Sequence, residues 1–279
     1  MSRNPYIDSA CPPTLKRSVF VFMDILGYSD LMTRSKEHGN SEQELRRIHE
    51  ALSESRRELE EGIIDPCFRE IYPKDTYALK AFTDNIVIGW PIHDDAEMEF
   101  ASAFRRLGMF QLKMALRGYF VRGAISVGPA YVDEITVFGD ALAEAYIGES
   151  KHARDPRIIL ASSAVATSKE HLGYYHQPAH APHVRDILKD ADGQWFLNYL
   201  DTILIAEHEQ GPFYDELIQH KVAVERKLQE YVGNPPIWAK FAWVASYHNY
   251  FCDLHPNYFQ KEHRVDVKLY SATPSLITD

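Results

Sequence analysis

Two aspartates sixty residues apart carry the clearest chemical signal in this chain. Asp24 lies in Val19-Phe-Val-Phe-Met-Asp24-Ile-Leu-Gly27-Tyr28, and Asp84 in Leu79-Lys80-Ala-Phe-Thr83-Asp84-Asn-Ile-Val-Ile88. Each borders a run rich in β-branched and aromatic residues, so each is predicted at the tip of a buried strand. Carboxylates at neighbouring strand tips can share hard divalent cations, which is how enzymes handle polyphosphates. The plainer reading makes Asp24 a helix cap and Asp84 a turn residue. Arg122 adds a cation in an otherwise apolar strand, where it must meet either a structural carboxylate or a phosphate. Gly27 would let the backbone approach phosphate without a Cβ, or simply make a tight turn.

The elements that must position these residues come from 279 residues, enough for one large domain or a domain with an appendage. Hydrophobic residues make up 45%, so a sizeable core is available. Thirty basic against forty acidic side chains leave a formal charge of -10, which argues against nucleic-acid partners and against an anionic membrane surface. The three cysteines, Cys11, Cys67 and Cys252, lack metal-ligand spacing and suit a reducing compartment. Met1 to Pro13 has no apolar leader, and no stretch reaches the length of a membrane span. The expectation is a soluble, cytoplasmic protein.

Residues 1–16 read as a polar N-terminal arm, 17–205 as the main domain, and 206–279 as a C-terminal helical extension packed on that domain or on a partner subunit. Ser18 to Ile25 is predicted as a first strand, broken by Gly27, with Ser29 capping a short helix. Ser41 to Glu61 is a charged helix ended by Gly62, with Arg46, Arg47, Arg56 and Arg57 on its solvated face. Tyr77 to Phe82 and Asn85 to Trp90 form a hairpin around Thr83-Asp84. Asp95 to Arg117 is a helix whose Phe100, Phe104, Leu107, Gln111 and Met114 follow one face. Phe120 to Val127 and Arg157 to Leu160 are strands on either side of a helix from Ala141 to Glu149. This order gives an α+β fold, the ferredoxin-like βαββαβ arrangement with extensions. Helices from Phe213 to Tyr231 and Ile237 to Phe251 follow.

In that order, these pieces resemble the class III nucleotide cyclase fold. The family's first strand ends Phe-x-Asp-Ile-x-Gly-Phe, matched by Phe22-Met-Asp24-Ile25-Leu-Gly27-Tyr28, and its hairpin aspartate is matched by Asp84. Arg122-Gly-Ala-Ile125-Ser-Val-Gly128 resembles the next motif, and Phe138-Gly-Asp-Ala-Leu-Ala-Glu-Ala-Tyr-Ile-Gly-Glu149 the helix after it. The chain is more similar to the pyrimidine cyclases of bacterial anti-phage (Pycsar) systems. The likeness lies in Phe-Thr-Asp-Asn-Ile, Phe-Val-Arg-Gly-Ala-Ile, Ala153-x-x-Pro-Arg-Ile158 and the aromatic run Lys240 to Asn249. Two departures from adenylyl cyclases stand out. Ala143 and Ile147 occupy the places of the Asn and Arg that contact ribose and the transition-state phosphate, and Thr136 falls near the base-reading Asp.

The resemblance implies attack of a ribose 3′-oxygen on the α-phosphorus of a nucleoside triphosphate, with release of pyrophosphate. Asp24, the Ile25 backbone carbonyl and Asp84 would hold two divalent ions, Mg²⁺ or Mn²⁺ on oxygen-only ligation. Lys80 takes the place of the base-reading lysine, Thr136 of its partner, and Phe22 could line the base pocket. An ammonium only donates, which suits the O4 of uracil and meets the cytosine amino group badly. UTP is therefore the expected substrate, with CTP the alternative. A plain core aromatic (Phe22), a surface lysine (Lys80) and a nucleotide-binding or dimerisation module without catalysis remain the alternatives. The family further implies a homodimer with its active sites at the interface, and a cyclic UMP product acting in antiviral defence on a separate cyclic-nucleotide-binding effector.

Other signals are weaker. His171, His176, His180 and His183 cluster without a zinc spacing, and Asp65-Pro66-Cys67 reads as a turn. No Gly-x-x-x-x-Gly-Lys-Ser/Thr loop or Gly-x-Ser-x-Gly elbow is present, so P-loop and serine-hydrolase chemistry find no support.

Overall fold

The computed structural model describes residues 4–8, 11–61, 77–82, 84–181, 183–205 and 210–267. Gly62, Asp65-Pro66-Cys67 and Thr83 lie outside the described residues. The first strand, β1 (Lys16–Ile25), leads into α1 (Tyr28–Glu37) and α2 (Ser41–Glu61). The hairpin is β2 (Ala78–Phe82) and β3 (Asn85–Pro91), followed by α3 (Glu97–Leu116) and β4 (Val121–Val132). A short β5 (Val137–Phe138) precedes α4 (Asp140–Ile147), then β6 (Ile158–Leu160) and α5 (Ser162–Leu172). Two short strands, β7 (Ile187–Lys189) and β8 (Trp195–Leu197), and the helices α6 (Tyr214–Glu230) and α7 (Pro235–Leu254) complete the described part.

The strands form one mixed, mostly antiparallel sheet in the order β2-β3-β1-β4-β6-β8-β7, with β5 paired to the far end of β4. The first four strands keep the split βαββαβ order expected from the sequence, and the fold is α+β. Its strand periodicity separates two layers. Val19, Val21, Met23 and Ile25 face α2 and α3, where Trp90, Phe100, Phe104, Leu107 and Met114 fill the larger core. Phe20 and Phe22 face the other way, against Ala141 and Ala145 of α4 and against Tyr6. Tyr6 is buried, and its hydroxyl donates to Ser18 Oγ at 2.7 Å, so this part of the N-terminal segment lies on the sheet.

Three local expectations are corrected. Gly27, not Ser29, stands at the start of α1, because it takes a left-handed φ of 76°. β4 runs on through Pro129 to Val132, beyond the positions where β6 flanks it, so the proline breaks no ladder on that side. The stretch between the strand predicted to end at Val127 and the helix from Ala141, read as a connecting loop, is partly strand, with Tyr131 opposite Phe138 and Val132 opposite Val137.

The C-terminal pair packs on the main sheet layer. Phe241 meets Phe120 edge to face at 5.2 Å, and Trp243 lies over the buried Arg157, which is ion-paired with Asp190 and Asp192. Deeper still, His220 on α6 and His248 on α7 stack with Nδ1 atoms 2.9 Å apart. His248 Nε2 lies 2.9 Å from the His263 carbonyl and so must be protonated, which leaves its Nδ1 as acceptor. His220 then donates from Nδ1 and accepts from the Tyr199 hydroxyl at Nε2, 2.8 Å away. Adding a proton to His248 sets two N–H groups head to head across the Nδ1 contact. His171 and His183 are also buried, their rings 5.2 Å apart, while His176 and His180 are exposed. Among the described residues no group of three or more His, Cys, Asp or Glu is arranged to hold a metal, and no helix is long and apolar enough to cross a membrane.

The stacked pair makes the docking of α6 and α7 acid-sensitive. Burial holds His220 well below the ordinary imidazole value and His248 down at about 4. Above pH ~6.5 neither the folded nor the unfolded chain protonates them, and their contribution to stability is complete. As pH falls from there toward 4, the unfolded chain takes up protons the folded one refuses, and stability is lost. A His220→Phe/His248→Leu variant escapes this loss. Its unfolding free energy should rise relative to the native chain across that interval, by at least about 3 kcal/mol at the acid end, the share of His248 alone. A difference that stays constant with pH would contradict this account of the pair.

Candidate active site

The register of β1 decides which residues meet. Asp24 stands opposite Arg122 on β4 and Asn85 on β3, and Phe22 stands opposite Ala124 and Val87. Val87 in turn faces Lys80 on β2. Residues directly opposite one another share a face, as do residues two apart on a strand. Asp24, Arg122, Phe22 and Lys80 therefore lie on the face that α4 crosses, in two adjacent rows roughly 7 Å apart along the strands. Asp84 occupies the turn before β3, and its carbonyl accepts the Ile25 N–H at 3.2 Å. Both aspartates thus come to the same end of the sheet, as their strand-tip positions predict.

At that end Arg122 grips Asp24 with two hydrogen bonds, Nε to Oδ1 at 3.0 Å and Nη2 to Oδ2 at 2.9 Å. The same Nη2 lies 2.9 Å from Oε1 of Glu149, whose side chain is only 5% exposed. That approach is an ion pair and not a hydrogen bond, and Oε1 has no hydrogen-bond partner. Burial first, and then the Asp24 charge, pushes Glu149 up to about 7, with Arg122 opposing the rise. The two carboxylates keep Arg122 charged, above its already high ordinary value. Of the alternatives open for Arg122, a carboxylate partner is the one present in the structure.

A second cation approaches from the C-terminal extension. Lys240 is half-buried on α7, the helix whose Phe241 packs on Phe120 and whose Trp243 packs on Arg157. Its burial and the nearby Arg122 charge lower its pKa, while Asp155 and Asp24 work against that lowering. Sequence reasoning missed both Glu149 and Lys240. Their signals were faint: a carboxylate at the end of a small-residue helix, and a single basic residue in the aromatic segment Pro235–Leu254.

Beside the charged end lies an open groove of about 710 Å³, lined by Phe22, Lys80, Val87, Phe138, Ala143 and Tyr146 among others. Phe22 and Tyr146 meet edge to face at 5.5 Å with their planes nearly perpendicular, which leaves an apolar corner in the groove that Lys80 also lines. Ala143 lines the groove and Ile147 is exposed, so neither offers the polar contact that the adenylyl cyclase positions carry. Thr136 is exposed and outside the lining. Its N–H donates to Asp133, as does the Ile135 N–H, while the Tyr131 hydroxyl takes the other carboxylate oxygen. Gly27 opens α1 with free space where a Cβ would stand, so its turn and an exposed helix start coincide.

For a divalent cation the donor set is of the right kind, oxygen only, with one buried Glu149 oxygen left unpaired beside Asp24. The obstacle is Arg122, which holds both Asp24 oxygens and has to release them for a cation to enter.

No family model matches this chain, and no curated protein matches it in sequence. Among solved structures it is similar to a class III adenylyl cyclase-like ATP-binding protein from Pseudomonas aeruginosa, at 13% identity and a TM-score of 0.40. The matched part is 62% of this chain and 41% of that one, so this chain spans less than half of its length.

The position of α4, and with it the groove, depends on Gly139. It adopts a φ of 132°, and a Cβ there would come within 2.2 Å of the Pro129 carbonyl oxygen. Gly139→Ala is expected to lose about 2 kcal/mol or more in chemical denaturation. Native stability in that variant would mean that α4 is not held where the structure has it.

Proposed function

We propose that this chain is a nucleotide cyclase that joins the ribose 3′-oxygen of a pyrimidine nucleoside triphosphate to its α-phosphorus and releases pyrophosphate. UTP, giving 3′,5′-cyclic UMP, is the favoured substrate and CTP the alternative. The observation that carries this reading is the convergence of Asp24, Asp84 and Arg122 at one sheet end, one row from a groove holding Phe22 and Lys80.

In this reading Asp24, the Ile25 carbonyl and Asp84 hold Mg²⁺ or Mn²⁺. When bound, such ions acidify the 3′-hydroxyl and offset charge on the departing pyrophosphate. The remaining work falls to the chain. Phe22 and Tyr146 give the base an apolar corner to pack into, and Lys80 donates to a ring carbonyl. Arg122, once off Asp24, neutralises the β- and γ-phosphates, with the N–H groups at the start of α1 beside it. Lys240 supplies a further positive charge, in a site where Ala143 and Ile147 replace the usual Asn and Arg.

A homodimer follows from the same reading. Ile135, Phe138, Tyr146 and Ile147 are exposed by 45 to 87% around the groove, an apolar rim suited to a second copy. The role in antiviral defence, through a separate effector that binds the product, rests on the sequence resemblance. A second reading, a module that binds nucleotide without turning it over, draws on the Arg122–Asp24 pair, which occupies the carboxylate that catalysis needs.

Incubating the purified chain with each ribonucleoside triphosphate plus Mn²⁺ or Mg²⁺, and resolving the products by mass spectrometry, tests the activity. Cyclic UMP and pyrophosphate are expected, with loss of at least about a hundredfold in Asp24→Ala and Asp84→Ala chains that still fold. Lys80→Ala should narrow the preference for UTP over CTP; an unchanged preference would remove Lys80 from base reading. No product from any triphosphate would favour the binding module. In sedimentation the active species is expected to be a dimer, and an active monomer would refute the shared site.

A further inference from the structure

We propose that Glu149 is a positioning residue that anchors Arg122 when a divalent cation takes Asp24. The guanidinium is then kept in the site for the substrate's phosphates and does not swing into solvent. This inference rests on the cyclase reading above.

The geometry sets the problem. Arg122 uses Nε and Nη2 on the two oxygens of Asp24. Those oxygens cannot serve a guanidinium and a divalent cation together. A cation entering at Asp24 displaces Arg122 and repels it. A long, freed arginine side chain would ordinarily move outward, where hydration is best.

Glu149 supplies the second hold. It is buried at 4% exposure, and Oε1 lies 2.9 Å from Nη2 without a hydrogen-bond partner. A carboxylate present only to neutralise its surroundings would have its buried oxygens hydrogen-bonded. Here one oxygen is spare, next to the donor that a cation would set free. A small rotation of the guanidinium turns that close approach into a charge-assisted hydrogen bond.

The backbone is built to bring Glu149 there. After α4 the chain leaves regular helix for a π-helical turn, Gly148–His152, of the kind that recurs at functional sites. Gly148 presses this turn onto β4, where an added Cβ would come within 2.6 Å of the Ala124 side chain. Ala124 lies two residues from Arg122, on the same face of the strand. Without Gly148 the turn would stand off the sheet and Glu149 would lose its reach.

The test is a double-mutant cycle read by Mn²⁺ affinity, from the electron paramagnetic resonance signal of the free ion. It compares the full native chain, Glu149→Gln, Arg122→Gln and the double variant. Glu149→Gln should weaken Mn²⁺ binding roughly tenfold when Arg122 is present and less than about twofold when it is Gln. Equal weakening in both backgrounds would overturn the proposal, because Glu149 would then act on the ion directly. If Glu149→Gln fails to unfold cooperatively, Glu149→Asp, which keeps the charge but draws it back by one methylene, takes its place in the same cycle with the same expected outcomes. A native chain that binds no Mn²⁺ overturns this inference together with the metal-dependent reading. Mn²⁺ binding without turnover counts against the cyclase reading alone, and the cycle still decides the role of Glu149.

Discussion

The pairing of β1 with β4, closed at its end by Arg122 on Asp24, is the constraint on which the site depends. Because strand side chains alternate, a slip of one residue would turn Asp24 toward the face where Trp90, Phe100 and Phe104 are packed. A carboxylate there would be desolvated with no partner, at a cost of several kcal/mol. In the register observed, Asp24 has Arg122 as its counterpart, and the apolar residues Val19, Val21 and Met23 fill the opposite core. Fold specificity and the placement of the chemistry are therefore the same fact.

From that ladder the two layers take different tasks. The α2–α3 side carries most of the packed apolar area and needs no polar group from the sheet. The α4 side is only partly covered, since α4 is short and rich in alanine, and this leaves Phe22 and Lys80 lining an open groove. The C-terminal helices close the third side. Arg157, fully buried under Trp243 and paired with Asp190 and Asp192, ties α7 to the strands next to β4, and the His220–His248 stack fixes α6 against α7. A buried arginine with such partners adds little net stability compared with an apolar contact, but it tolerates few alternative dockings. Lys240 owes its place near Arg122 to that rigid attachment.

Much of this was legible in the chain itself. The βαββαβ order, the α3 stripe of Phe100, Phe104, Leu107 and Met114, and both long C-terminal helices follow from periodicity, which reports burial directly. Asp24 and Asp84 could be placed together because each ends or begins an apolar run. Glu149 and Lys240 could not. Their environments are made by groups distant in sequence, Arg122 for Glu149, and Arg122, Asp155 and Asp24 for Lys240. Local pattern also misread Ser29, where a good capping side chain lost to the backbone freedom of Gly27 two residues earlier. The strand continues past Val127 because β6 no longer flanks β4 at Pro129, while on the other side β1 stays paired with it through Arg17 opposite Pro129.

The charge balance of the site limits the order in which ligands can arrive. Asp24, Asp84 and Glu149 face Arg122 and Lys240, three acids to two bases, in a chain whose formal charge is -10. A free triphosphate approaching that end meets repulsion both from the molecule as a whole and from the acids at the site. Protonating Glu149, held near 7, would even the local count but add no attraction. Only a cation that binds the aspartates and releases Arg122 changes the sign of the field the phosphates meet. In the proposed enzyme, metal and nucleotide binding must therefore reinforce each other, because Arg122 is withdrawn from the substrate for as long as it neutralises Asp24.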